Sequence, residues 1–290
     1  MLRRLDKAFA AFFRRIKEGH PRPGYPRFKG CYRYNSLTFT QAGWRLDKRL
    51  HLSGVGALRV KMHRPIAGTI KTVTIKRDVD HWYVTFSCAV EIDATPVQGK
   101  PAVGIDMGLD YYATMSDGTH IENPRYYRKS QAVLARRQRS MERKRKGGGK
   151  RAKAGILVRK AHRKIANQRR DMQHKAARRI VQTYGAVAVE DLNIVGMVRN
   201  HSLAKSISDA AWGQFIAILS SKAASAGVVV VAVNPRGTSQ MCSGCGAKSE
   251  NPKTLADRWH TCAVCGLSLQ RDVNAARYIL QRAGLAHQVA

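Results

Sequence analysis

Acidic residues are scarce in this chain: 19 Asp plus Glu stand against 52 Lys plus Arg, a formal net charge of +33 over 290 residues. Such a field concentrates polyanions at the surface and speeds their encounter, which makes nucleic acid the expected partner. Long hydrophobic runs are absent as well. The longest candidate, Val228 to Val233, has the length of a strand and falls far short of the ~18 residues that a membrane helix needs, so no membrane partner is expected. The N-terminal stretch MLRRLDKAFAAFFRRIK has no continuous apolar segment and no small-residue cleavage site. That argues against secretion and for a cytoplasmic, nucleoid-associated protein. There is no nucleophile-elbow pattern, no phosphate loop and no internal repeat, and Ser and His offer no catalytic set. Hydrophobic residues make up 44% of the chain, enough for one large core or two modest ones at roughly 150 residues per domain.

The positive charge is local. Between Arg125 and Arg179 there are 22 Lys or Arg and two acids, Glu142 and Asp171. A solvated helix face or a basic tail is the plain alternative to a binding surface, and a ribosomal-type structural role shares the charge but leaves the carboxylates discussed below unexplained. Cysteine is clustered too. Four of the six cysteines form C-S-G-C at Cys242 and Cys245 and C-A-V-C at Cys262 and Cys265, with 16 residues between the pairs. Two such knuckles match a tetrahedral four-cysteine zinc site, closed by four protein ligands and therefore structural. Cys31 and Cys88 read as isolated thiols. Around the zinc site, Lys248, Lys253, Arg258, Trp259 and His260 are candidate nucleic-acid contacts, with ordinary surface charge as the equal alternative.

Along the chain, Leu2, Leu5, Phe9, Phe12, Phe13 and Ile16 recur at helical spacing, and Gly19, Pro21, Pro23, Gly24 and Pro26 end that helix. A helix that starts at the initiator Met without a cap suggests a chain cut off at its front. From Ser36 to Ile92 the pattern changes to short strands: Leu37–Phe39, Leu50–Leu52, Leu58–Val60, Val73–Ile75 and the alternating Trp82, Val84, Phe86, Cys88, Val90. Asp78 and Asp80 lie in the turn of a final hairpin, and a small β-barrel or sandwich is expected. Residues Thr95 to Pro101 read as a linker. An α/β region follows, with strands at Val103–Asp106, Tyr111–Met115, near Ile121, at Ala186–Glu190 and at Val228–Val233. Two antiparallel basic helices are expected on either side of Gly147–Gly149, one helix over Leu203–Ala226 and a last one over Val273–Gln281.

Three carboxylates stand where elements start or stop: Asp106 and Glu190 at the ends of apolar strands, Asp272 at the head of a helix. A charge closing a run such as AVAVE is costly without a partner, and convergent carboxylates are partnered by divalent cations, Mg²⁺ or Mn²⁺. Two such ions hydrolyse phosphodiesters. Taken singly, Asp272 could simply cap its helix and Asp106 simply end a strand, and spacing does not show that they meet. Asp191 is the rival for the middle position, although strand alternation points it away from Glu190.

The stretches VGIDMGLDYYATMSDG, HRKIANQRRDMQHKAARRIV, VAVEDLNIVGMVRNHSLAKSISDAAWGQF, TSQMCSGCG, TCAVCG and RDVNAARYIL resemble, in order, the TnpB or OrfB proteins of bacterial insertion sequences, RNA-guided nucleases related to the type V CRISPR effectors. The resemblance runs from about Pro101 to the C-terminus. It implies an RNase H-like (RuvC) α/β domain that cleaves DNA, with the Asp of G-I-D, the Glu of V-E-D-L-N and the Asp of R-D-V-N-A-A as metal ligands, which are Asp106, Glu190 and Asp272 here. It implies further partners: a guide RNA from the transposon end and, for an accessory role, a partner transposase. The domains it implies are a residual helix of a truncated recognition lobe (1–29), a partial wedge-like β-barrel (30–98), a RuvC-like first part (99–236), an inserted four-cysteine zinc ribbon (237–266) and a RuvC-like C-terminal helix (267–290). The stretch LRRLDKAFAAFFRRIKEGHPRPGYPRFKG resembles the end of that lobe, so most of the lobe and the first barrel segment are expected to be missing. Gln270 departs from the family, which usually has Asp there. A non-cleaving nucleic-acid-binding remnant or regulator and an accessory transposition protein are the alternative functions.

Overall fold

The computed structural model describes residues 2–28, 30, 33–91, 99–249 and 257–285, which leaves Cys31, Lys253 and the start of the expected linker outside the described residues. The chain divides into two compact units, Met1–Glu91 and Ile92–Ala290.

The first unit begins with helix α1 (Leu2–Lys17), where Phe9 and Phe12 each meet the ring of Tyr25 edge-on. Six strands follow: β1 (Ser36–Phe39), β2 (Trp44–Leu46), β3 (Leu50–Leu52), β4 (Gly56–Leu58), β5 (Thr69–Asp78) and β6 (His81–Ala89). They form two antiparallel three-stranded sheets, ordered β1-β5-β6 and β2-β3-β4. Leu50 and Leu52 of one sheet and Val73 and Ile75 of the other share a core with Phe39, Trp44, Leu46 and Phe86. Among the described residues no hydrogen-bonded ladder closes these sheets into a barrel, so the sandwich alternative describes this unit better. The hairpin turns at Val79 and Asp80 as expected, while β2 was not anticipated and the strand expected at Leu58–Val60 ends at Leu58.

The second unit is built on a five-stranded mixed sheet. Strands β7 (Ala102–Asp106), β8 (Tyr111–Met115) and β9 (His120–Glu122) form an antiparallel meander. Strand β10 (Ala186–Glu190) lies parallel to β7 on its other side, and β11 (Val229–Val233) lies parallel to β10, giving the order β11-β10-β7-β8-β9. Between β9 and β10 run α2 (Tyr126–Glu142) and α3 (Gly149–Thr183). Arg137 donates to the Leu157 carbonyl and Arg151 to that of Met141, a reversed order that makes the pair antiparallel, as the glycine break predicts. Leu134, Val158 and Ala161 pack between them.

Side chains alternate along a strand, and β7 (AVGID) and β10 (AVAVE) use the alternation to sort size. Val103, Ile105, Val187 and Val189 face a core with Ile180 of α3 and further helical residues. Ala102, Gly104, Ala186 and Ala188 line the opposite face, where α7 (Arg271–Arg282) buries Ile279 and Leu280. The approach is close: a Cβ on Gly104 would lie 2.0 Å from the Ala276 carbonyl oxygen and 2.9 Å from the Leu280 nitrogen.

One expected helix is two. After α4 (Ile194–Met197), α5 (His201–Ala210) stops at Ala211, whose left-handed φ of 52° redirects the chain into α6 (Trp212–Ser225). The turn delivers Ile207 and Ala210 from one helix and Trp212, Phe215 and Leu219 from the other into one core. The break ends the hydrogen-bond ladder of α5, and the buried Gln173 amide of α3 donates to the Ala210 carbonyl and also to that of Ala211, which already accepts from the Gln214 and Phe215 N–H groups of α6. The pivot itself is an alanine, and the nearest glycine, Gly213, lies inside the first turn of α6. Among the described residues no helix is long and apolar enough to cross a membrane.

Two substitutions test this packing by thermal unfolding. Gly104→Ala should destabilise by about 3 kcal/mol, because backbone on both sides prevents relief of the clash, and lower Tm by roughly 10 °C. Ala211→Gly should instead stabilise, by up to about 1 kcal/mol, by removing the cost of a left-handed L-residue.

Candidate functional site

The alternation that places small residues under α7 also places the carboxylates. Continuing 102, 104 and 186, 188 by two residues brings Asp106 and Glu190 to that same face, at the C-terminal ends of two adjacent parallel strands. Helix α7 covers this face and carries Asp272 in its first turn. Carboxyl ends of parallel strands are where open α/β sheets place their ligands.

The electrostatics place Asp106 within reach of the other two acids. Asp106 is pushed up to about 8 from an ordinary carboxylate value of 3.8, chiefly by burial, then by the charges of Glu190 and Asp272, with Arg271 opposing. Asp106 is partly exposed at the end of its strand, yet the protein surrounds it closely enough for desolvation to dominate. Glu190 is 7% exposed and is also raised by burial, against a lowering hydrogen bond from Thr238. Asp191, the rival for the middle position, is exposed.

Two residues that sequence reading overlooked hold these acids. The buried Thr238 hydroxyl donates to Glu190 Oε1. Arg271 places Nε and Nη2 each 3.1 Å from Asp272 Oδ1. Thr238 lies in the TSQMC segment just ahead of the first knuckle, and its only signal was that position. Gln270 makes no side-chain cap to α7.

Among the described residues, the four cysteines form the one set of metal-ligating side chains whose ligand atoms all lie within 4.8 Å of one another; the carboxylates are less tightly drawn together. Cys242 and Cys265 sulfurs are 3.7 Å apart, and those of Cys245 and Cys262 3.6 Å. Four sulfurs around one zinc at Zn–S distances of about 2.3 Å would sit roughly 3.8 Å apart, so the set fits a structural zinc ion. Both knuckles close identically: Gly246 and Gly266 adopt φ of 73° and donate N–H to the Cys242 and Cys262 carbonyls. N–H groups of Cys265 and Val264 and the neighbouring thiols lower Cys262 to about 6. Cys265 feels a lowering N–H from Leu267 but is pushed up to about 12, mainly by the crowding thiols. Crowded sulfurs share protons in this way until a cation allows all four to ionise.

The knuckles cap two short ladders, an isolated bridge between Met241 and Lys248 and the antiparallel pair β12 (Trp259–Thr261) with β13 (Ser268–Gln270), and β13 runs directly into α7. Of the residues expected to contact nucleic acid here, Lys248, Arg258 and Trp259 are exposed, but Arg258 is ion-paired with Asp110. His260 is a correction. At 1% exposure it is a core residue of the ribbon, because strand alternation turns it inward between Trp259 and Thr261. Cys88 is a partly buried free thiol of β6.

The raised Asp106 has a thermodynamic consequence. The folded state holds that proton more tightly than the unfolded chain, so the stability this group contributes falls as pH rises from about 4 through about 8. In divalent-free buffer, Asp106→Asn should raise Tm at pH 8 and make little difference at pH 4.5. Equal Tm values for the two proteins at pH 8 would contradict a raised Asp106.

The family OrfB_IS605, described as "Probable transposase", matches residues 85–201, and the family described as "Cas12f1-like, TNB domain" matches residues 212–279. A Streptomyces pristinaespiralis protein named "Putative RNA-guided DNA endonuclease" is 36% identical over 294 residues, spanning 98% of this chain and 70% of that protein. The Escherichia coli K12 protein "Putative RNA-guided DNA endonuclease InsQ" is 32% identical over 298 residues, spanning 96% of this chain and 72% of its own length. A solved structure described as "Cryo-EM structure of the Cas12f1-sgRNA-target DNA complex" covers 92% of this chain and 74% of its own at 16% identity and a TM-score of 0.45, a likeness too slight to bear on the fold. Near-complete coverage at 36% identity, with the two family matches lying in order from residue 85 to residue 279, establishes that the chain belongs to the TnpB/OrfB family of insertion-sequence proteins.

Proposed function

We propose that this protein is a RuvC-type DNA endonuclease acting in the cytoplasm, with Asp106, Glu190 and Asp272 as its metal-binding catalytic residues and the four cysteines holding structural zinc. The observation that carries the reading is the convergence of Asp106 and Glu190 at adjacent strand ends on the sheet face that α7 covers, with Asp272 in the first turn of α7 near enough to act on Asp106, in a chain otherwise dominated by positive charge. An RNase H-like fold is supported by the strand order, three antiparallel strands extended by two parallel ones. Relatives named as RNA-guided DNA endonucleases support DNA as substrate and RNA as guide. The assignment divides the second unit into RuvC-like parts at 99–236 and 267–290 around a ribbon at 237–266, and makes the sheets within 30–98 a nucleic-acid-holding module.

Asp106, Glu190 and Asp272 would hold Mg²⁺ or Mn²⁺, and such ions supply an activated water and charge neutralisation at a phosphodiester. The protein's own part is positioning. Thr238 fixes one oxygen of Glu190, Arg271 orients Asp272, and burial keeps Asp106 from ionising until a cation compensates it. Helix α3, 35 residues and so about 52 Å long, presents its charge along a duplex-sized path. A groove on α2 is lined by Arg136, Arg139, Glu142 and Arg143, three cations that suit phosphates and read no bases.

The test is cleavage of single- and double-stranded DNA by the purified protein with its co-purified RNA. Mg²⁺-dependent product should form with the wild type and fall at least ~1,000-fold in Asp106→Ala, Glu190→Ala and Asp272→Ala. Binding without cleavage by the wild type would instead favour a non-cleaving nucleic-acid binder.

A further inference from the structure

The first zinc knuckle is fastened to α7 by two side chains that the chemistry above does not use. Asn274, fully buried, accepts from the Ser243 N–H at 2.9 Å and donates to the Met241 carbonyl at 2.7 Å. Gln281, seven residues on and so on the same helix face, donates to the Ser243 carbonyl. Ser243 lies between Cys242 and Cys245 and is itself buried. Both ends of the Asn274 amide are thus spent on backbone flanking a metal ligand, two residues after Asp272.

Nothing in α7 packing requires an amide at this position. The helix is held on the sheet by Ile279 and Leu280 over Ala102, Ala186 and Ala188, and an apolar residue would serve that contact equally. A buried Asn is costly unless both its donor and acceptor are met, and among the described residues it is the knuckle backbone that meets them. Beyond its closing backbone hydrogen bonds, the knuckle is tied to the second one through the Cys242 and Cys245 sulfurs, 3.7 and 3.6 Å from those of Cys265 and Cys262, and a bound zinc ion would fix that geometry. We propose that Asn274 is a positioning residue that couples the metal of the four-cysteine site to the carboxylate site: with zinc bound, the rigid knuckle fixes the first turn of α7 and thereby Asp272, and with zinc lost that turn loosens and the carboxylates bind divalent cation weakly. The ribbon then acts as a built-in requirement for zinc in a site that uses a different metal. This rests on the carboxylate reading given above.

The coupling is measured by Mn²⁺ titration, following free Mn²⁺ by electron paramagnetic resonance, on the full chain with zinc content checked by elemental analysis. The relevant site is the portion of binding lost in Asp106→Ala. Each protein is titrated zinc-loaded and again after zinc is extracted with a chelator that is then dialysed away; Mn²⁺ competes poorly for thiolates and reports little from the emptied knuckles. Asn274→Ala and Ser243→Pro remove the same hydrogen bond from its two sides. Both should retain zinc and bind Mn²⁺ roughly tenfold more weakly, as loss of an outer-shell partner does. Zinc extraction should weaken the wild type by a similar factor and weaken these two variants no further. Gln281→Ala, which loosens the knuckle about two and a half turns away from Asp272, should stay within about twofold of wild type. Wild-type affinity that ignores zinc extraction, losses that multiply when variant and extraction are combined, or an equal loss in Gln281→Ala would each overturn the coupling. Mn²⁺ binding that never depends on Asp106 would overturn the carboxylate reading itself, so the two failures are distinguishable.

Discussion

The close approach of α7 to the central sheet is the contact on which the second unit depends. It requires one face of β7 and β10 to carry nothing larger than alanine, with glycine where the helix backbone comes nearest. The same two-residue alternation that strips this face of bulk extends to the strand ends, where it presents Asp106 and Glu190 under the first turn of α7. A larger residue at 104 would push the helix away and take Asp272 with it. Packing and site geometry are therefore one constraint, and the valines and isoleucines of the opposite face supply the hydrophobic stabilisation that this thin interface cannot.

Electrostatics impose a cost that the fold has to meet. Burying Asp106 close to Glu190 and Asp272 opposes ionisation of the first, and the protein contributes only partial relief, through Arg271 at Asp106 and the Thr238 hydroxyl at Glu190. On the proposed reading, a divalent cation would bind such a site at the expense of its protons. The excess of lysine and arginine would work at longer range, drawing in a phosphate backbone by an attraction that weakens with salt. The cysteine cluster solves a different problem. Its ladders are short, and a zinc ion in the four-cysteine cluster would hold together what hydrophobic burial does not.

Much of this was legible in the residues. The runs AVGID and AVAVE identify buried strands that end in acids, and the paired C-x-x-C knuckles identify a single cluster of four thiols that fits zinc. What escaped is equally physical. Ala211 breaks a helix because two apolar surfaces must enter one core, a tertiary demand with no mark in local propensity. His260 reads as a surface contact in a basic segment, yet its register in a three-residue strand turns it inward. Thr238 and Arg271 are ordinary residues until the chain brings each beside its carboxylate, and strand β2 was too short to show alternation.

That the three carboxylates form one metal site is the central claim, and anomalous diffraction at the manganese edge from crystals soaked in Mn²⁺ tests it most directly. Manganese should appear between β7, β10 and the head of α7, with Asp106, Glu190 and Asp272 all among its ligands. Manganese confined elsewhere, or bound through Asp106 without the other two, would contradict the account.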